Sequence, residues 1–237
     1  MEIWNYFTYN IRMEESYNFA GKTALIVGGT RGTGKEIAFM LRDMGASVYV
    51  TGRSSAFKAE DKIHYICSDL EKETFASLKR EEILQVINCT DILVYCCGPF
   101  LQKTIAQTSA DDWEKMAVMN YGLPGAYLSS VLNHQVEQGW GRNVLFGGTR
   151  TESVKAYKTN CAYAGAKTGL SVLVKSAAAQ YAQYGITVNG ICPGFTHDAP
   201  ENTQNISERQ LAYNVRTLLC RKELNGVLLN ADFGWNP

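Results

Sequence analysis

Tyr163 and Lys167 stand four residues apart in Tyr163-Ala-Gly-Ala-Lys167, so on a helix they share one face. Tyrosine ionises near pH 10 and is a poor proton donor to an alkoxide at neutrality. An ammonium nearby favours the phenolate and moves the pair toward acid/base work. Taken alone, such a pair is more often structural. A second site of chemistry is Gly28-Gly-Thr-Arg-Gly-Thr-Gly34, which follows the apolar run Thr23-Ala-Leu-Ile-Val27. Glycines at a strand-to-helix turn let backbone approach a phosphate closely, and the free N–H groups at the helix start meet the anion. Arg31 lies in that loop, and Arg53 follows the next strand. Two guanidinium groups near one site suit a phosphate dianion, because arginine binds it bidentately.

The elements that must carry these residues read as alternating strands and helices. Strands are expected at Thr23–Val27, Ser47–Thr51, Ile63–Cys67, Asp91–Cys96, Asn143–Phe146 and Ile186–Cys192, with Asn225–Trp235 as the last. The stretch Lys35–Arg42 has helical spacing, with Ile37, Ala38 and Leu41 on one face. Ser109 with Asp112 and Ser207 with Gln210 read as helix-capping pairs, and Ser207–Glu223 as one helix. Asp69 has the position of an N-cap. Asn120 precedes Pro124, which removes a backbone donor and should kink its helix. Asn120 then either satisfies backbone freed by that kink or serves the chemistry.

The fold class expected is α/β: one doubly wound, largely parallel seven-stranded sheet of Rossmann type, over residues 21–237, with residues 1–20 as an extension. The chain has 237 residues, 46% of them hydrophobic, and zero formal net charge. Zero charge gives no broad field to recruit nucleic acid or an anionic membrane, so neither is an expected partner. No run is long and apolar enough to span a bilayer. Residues 1–17 lack the basic start and apolar centre of a secretory signal. Seven cysteines, an odd number, read as reduced thiols in a cytoplasm. Three scattered histidines make a metal site improbable.

The spacing Gly28-x-x-x-Gly32-x-Gly34, together with Tyr163, Lys167, Pro193-Gly194 and the last strand, resembles the short-chain dehydrogenase/reductase family over most of residues 22–235. The resemblance implies a nicotinamide cofactor held by Gly28, Thr30, Arg31, Gly32, Thr33, Gly34, Arg53, Ser54, Asp69, Leu70, Cys97, Gly98, Tyr163, Lys167, Pro193, Gly194 and Phe195. Arg31 and Arg53 favour NADP(H) over NAD(H). The resemblance gives Tyr163 the proton transfer, Lys167 the nicotinamide ribose and the tuning of Tyr163, and Asn120 a place in a proton relay. Asp69 takes the position of the aspartate that meets the adenine amino group.

Three departures stand against that pattern. Tyr95-Cys-Cys-Gly98 replaces the usual Asn-Asn-Ala-Gly. Gly148 falls where the family has a serine that polarises the substrate carbonyl, and Thr149 is the nearest hydroxyl that could replace it. The substrate-covering segment, Phe195–Asn205, is short. The implied activity is an NADP(H)-dependent reduction of a carbonyl to an alcohol, or the reverse, with a small-molecule or carrier-bound substrate. A 3-oxoacyl-thioester reductase is one subtype, and a homodimer or homotetramer is the family's usual assembly. The alternative is a cofactor-binding sensor or scaffold with little catalysis.

Overall fold

A computed structural model describes residues 17–53, 62–197 and 204–234. Seven strands form a single all-parallel sheet in the order β3-β2-β1-β4-β5-β6-β7. They are β1 (Thr23–Val27), β2 (Ser47–Gly52), β3 (Ile63–Cys67), β4 (Ile92–Tyr95), β5 (Gly141–Phe146), β6 (Ile186–Pro193) and β7 (Leu228–Ala231). The helices that matter here are α1 (Gly32–Asp43), α2 (Leu70–Glu73), α3 (Glu81–Ile87), α4 (Ala110–Ala117), α5 (Leu123–Gln138), α6 (Cys161–Tyr181) and α7 (Glu208–Cys220). The expected fold class is the one observed.

The central strands β1 and β4 are almost wholly apolar because both sheet faces are covered, as parallel sheets require. On one face Ile37, Ala38 and Leu41 of α1 pack with Leu211, Val215 and Leu218 of α7. On the other, Tyr127 and Val131 of α5 pack with Leu170 and Val174 of α6. Strand order reverses between β1 and β4, which opens a crevice at the carboxyl ends. The register pairs Val27 with Tyr95 and Tyr95 with Leu145. The glycine loop, Cys96-Cys97-Gly98 and Gly147-Gly148 therefore emerge together at that edge.

Asp69 caps α2 by accepting the Glu71 N–H at 3.2 Å. Ser109 with Asp112 and Ser207 with Gln210 form reciprocal capping boxes. Two expectations are corrected. α7 ends at Cys220 and β7 covers only Leu228–Ala231, because Asn225 and Gly226 turn the chain by bonding to β6. The irregularity expected at Pro124 takes the form of a π-helical turn at Val118–Gly122, joining α4 to α5. Proline offers no N–H to the carbonyl of Asn120, and the wider turn absorbs the missing bond. Ser54, the segment 1–16 and Trp235 lie outside the described residues.

Gly34 sets how closely α1 meets the sheet. A Cβ there would sit 2.2 Å from the Gly28 carbonyl oxygen and 2.9 Å from Cys96 Sγ. Gly34→Ala should therefore cost about 1–3 kcal/mol of stability, read as a lower thermal midpoint. An unchanged midpoint would show that the loop has room to spare.

Candidate active site

Twelve of the expected cofactor residues line one cleft of about 770 Å³: Gly28, Thr30, Arg31, Gly32, Thr33, Gly34, Arg53, Asp69, Leu70, Cys97, Gly98 and Pro193. Gly194 and Phe195 follow Pro193 beyond that lining. Two of the lining glycines are sterically required. Gly28 has φ +90°, and a side chain on it would press on Cys97. Gly52 leaves the space that the Thr30 side chain fills.

The inner end of the cleft is built on α6 and the π turn. Lys167 is buried, and its Nζ donates to the Phe146 carbonyl at 2.6 Å. Phe146 lines the cleft, whereas Lys167, Asn120 and Tyr163 are not part of that lining and stand behind it. Asn120, carried inward by the π turn, is fully buried. Its Nδ2 donates to the Pro99 carbonyl at 3.1 Å, while its Oδ1 has no partner. A Cβ on Gly98 would lie 2.4 Å from that Oδ1 and 3.2 Å from Lys167 Nζ. Glycine at 98 thus leaves an amide acceptor and an amine facing one small space.

Tyr163 stands one turn before Lys167, with its ring centroid 6.0 Å from Nζ. Phe100 meets it edge-on at 5.0 Å between centroids, its own ring largely exposed. A Cβ on Gly148 would approach the Tyr163 hydroxyl to 2.9 Å and the Thr151 methyl to 3.2 Å. The phenol and Thr151 therefore occupy the space a side chain at 148 would need. Thr149 donates its hydroxyl proton to the Pro193 carbonyl at 2.6 Å, which ties the loop to β6. The hydroxyl beside Gly148 is that of Thr151, which donates to the Gly148 carbonyl at 2.9 Å and accepts its N–H at 3.1 Å.

Burial sets the protonation of the pair. Desolvation pushes the Tyr163 phenol above its ordinary value and lowers the Lys167 amine to about 8. The sequence reading had Lys167 depressing Tyr163; the leading influence in the fold is burial, which acts the other way, and Tyr163 is a neutral phenol near pH 7. Desolvation also raises Cys96, Cys97 and Cys192, which keeps these thiols protonated and poorly nucleophilic.

At the outer end Arg31 and Arg53 are exposed on the cleft rim. Glu71 joins them: its Oε1 lies 3.7 Å from Arg53, and its Oε2 accepts from Lys115 of α4 at 3.1 Å. Sequence reasoning missed Glu71. The available signal was its place two residues after the N-cap Asp69. It also missed Phe146, whose contribution is a backbone carbonyl, and Met119, Thr196 and His197, which are among the other lining residues. No cluster of metal-ligating side chains occurs among the described residues.

Residues 22–210 match the family model described as short chain dehydrogenase. The chain belongs to the short-chain dehydrogenase/reductase family. It is 32% identical over 187 residues to the 3-oxoacyl-(acyl-carrier-protein) reductase FabG of Aquifex aeolicus, covering 74% of each chain. It is 27% identical to the D-beta-hydroxybutyrate dehydrogenase of Rhizobium meliloti, over 89% of this chain and 84% of that protein. Among solved structures, a short chain dehydrogenase/reductase family protein superposes with a TM-score of 0.81 at 23% identity, over 92% of this chain and 98% of that one. The protein is thus an oxidoreductase of the short-chain dehydrogenase/reductase family, and membership implies a nicotinamide cofactor. The glycine cradle and the open Asn120 Oδ1 fit such a group.

The buried amine gives a pH test. Below about pH 8 the folded protein holds a charged, desolvated Lys167; above it the folded form is neutral while the unfolded lysine stays charged to about 10.4. The unfolded state then binds more protons, so this group's cost to folding shrinks as pH rises. The stability difference between the protein and Lys167→Met should shift in favour of the parent by about 2 kcal/mol from pH 7 to pH 9.5, measured by urea titration. A difference independent of pH would contradict the burial of a titrating amine.

Proposed function

We propose that this protein uses NADP(H) to reduce a carbonyl to an alcohol, or runs the reverse reaction. The observation that supports this reading is the group of side chains behind the inner wall of the cleft: the open Asn120 Oδ1 and the Lys167 amine face the space left by Gly98, and the neutral Tyr163 phenol stands one helical turn from Lys167. When bound, the nicotinamide supplies or takes the hydride. Tyr163 donates its proton to the carbonyl oxygen as negative charge grows there. Lys167 keeps one N–H on the Phe146 carbonyl and has others for the ribose hydroxyls and the relay. Asn120 holds the relay water on Oδ1. Thr149, by its bond to Pro193, positions the loop.

At the outer end Arg31 and Arg53 favour a 2′-phosphate, and Lys115 offsets the Glu71 charge beside them. Ser54 and Asp69 complete the adenosine end, with Gly194 and Phe195 near the nicotinamide. The absence of a serine hydroxyl at Gly148 predicts a rate about a hundred- to a thousandfold below a fully equipped site. The relatives' names include a 3-oxoacyl-(acyl-carrier-protein) reductase, which supports a small or carrier-bound carbonyl substrate. Residues 21–237 read as one domain on the single sheet. Exposed Tyr121 and Val172 on the helical face support a homodimer or homotetramer. Seven free thiols support a cytoplasmic setting.

Turnover of a panel of ketones and 3-oxoacyl thioesters with NADPH tests this. Tyr163→Phe should lower kcat by roughly a hundred- to ten-thousandfold while NADPH binding, followed by calorimetry, persists. Undiminished turnover in Tyr163→Phe would overturn the reading. Tight NADPH binding without turnover in the parent would favour the sensor, for which Gly148 is the motive.

A further inference from the structure

The rim of the cleft carries its own counter-charge. Arg31, Arg53 and Glu71 all belong to the cleft lining. Asp69, the N-cap of α2, accepts the Glu71 N–H at 3.2 Å, which sets the Glu71 backbone at the edge of the cleft. The two carboxylate oxygens of Glu71 are held unequally. Oε2 accepts a hydrogen bond from Lys115 of α4 at 3.1 Å. Oε1 lies 3.7 Å from Arg53, an ion pair too long for a hydrogen bond. Arg53, Glu71 and Lys115 all stay partly exposed, so a nucleotide in the cleft can reach them. Arg53 is therefore the partner that Glu71 gives up most readily. A phosphate dianion offers the guanidinium shorter, bidentate bonds. Glu71, still fastened to Lys115, then remains beside the phosphate as a like charge. Toward a ribose bearing a 2′-hydroxyl the same carboxylate acts in the opposite sense, as an acceptor.

We propose that Glu71, held by Lys115, is the specificity-determining residue that sets how far this site prefers a 2′-phosphate to a 2′-hydroxyl. It lowers the discrimination that two arginines alone would give, by opposing the phosphate and by accepting from the hydroxyl. The site then takes both dinucleotides, NADP(H) ahead of NAD(H). This rests on the reading of Arg31 and Arg53 as the 2′-phosphate site. Lys115 acts through Glu71: by neutralising part of its charge, it keeps the opposition to the phosphate small.

The test is calorimetric titration of the parent, Glu71→Gln, Lys115→Ala and the double variant with NADPH and with NADH, which reads binding and needs no substrate. Glu71→Gln should raise the NADPH-to-NADH affinity ratio roughly threefold to tenfold, by tightening NADPH and weakening NADH. High salt should shrink that gain, because it screens charge and leaves a merely structural effect in place. Lys115→Ala should lower the ratio by roughly twofold to fivefold and should have no effect once Glu71 is Gln. A parent that prefers NADPH, with a Glu71→Gln ratio unchanged or lowered, overturns the inference and leaves the 2′-phosphate reading standing. An effect of Lys115→Ala that persists in the double variant overturns its action through Glu71. A parent that prefers NADH, or binds neither, overturns both readings.

Discussion

A buried amine held on the last carbonyl of a strand organises this molecule. Lys167 Nζ reaches the Phe146 oxygen only because α6 packs its small and apolar face, including Ala164, Leu170 and Val174, directly on the sheet. Removing that amine from water is unfavourable, and the cost shows in its lowered pKa. What offsets it is the fit of α6 against β5 and β6. Ser171, one turn beyond, donates to the Thr151 carbonyl at 3.1 Å and so ties the helix to the loop that shapes the site. Asn120 reaches the same space through the π turn, and Gly98 leaves that space open.

The second constraint is steric. Gly148 is more than a missing hydroxyl, because the Tyr163 phenol and the Thr151 methyl stand within van der Waals range of any Cβ placed there. The site has closed around glycine. Phe100 backs the phenol from the open side, and the Thr149 hydroxyl is held by Pro193. On the proposed reading the chemistry thus concentrates on one neutral phenol, Tyr163, as proton donor to a developing alkoxide.

The framework was legible in the sequence wherever a single physical cause governs a run of residues. Thr23–Val27 and Ile63–Cys67 are strands with the expected bounds, because branched apolar runs between turn residues leave little choice. The two capping boxes follow from side chains three positions apart. The π turn was not legible: Pro124 announces a missing bond, not which local geometry absorbs it. Nor was the protonation of Tyr163, since spacing reveals the neighbouring charge while burial, a property of the whole fold, decides the direction. Glu71 escaped because an acid in a polar stretch looks solvated until the tertiary structure shows what it faces.

The two ends of the cleft carry separate parts of the account. On the proposed reading the inner end serves proton transfer, and the rim, with Arg31 and Arg53 set against Glu71 and Lys115, selects the dinucleotide. The rim is the more direct test, because it needs no substrate. Calorimetric titration of the protein and of Arg53→Ala with NADPH and NADH should give tighter binding of NADPH by roughly tenfold or more, with that preference lost in Arg53→Ala. A preference for NADH would contradict the assignment of the arginines, and binding of neither would contradict the glycine cradle as a dinucleotide site.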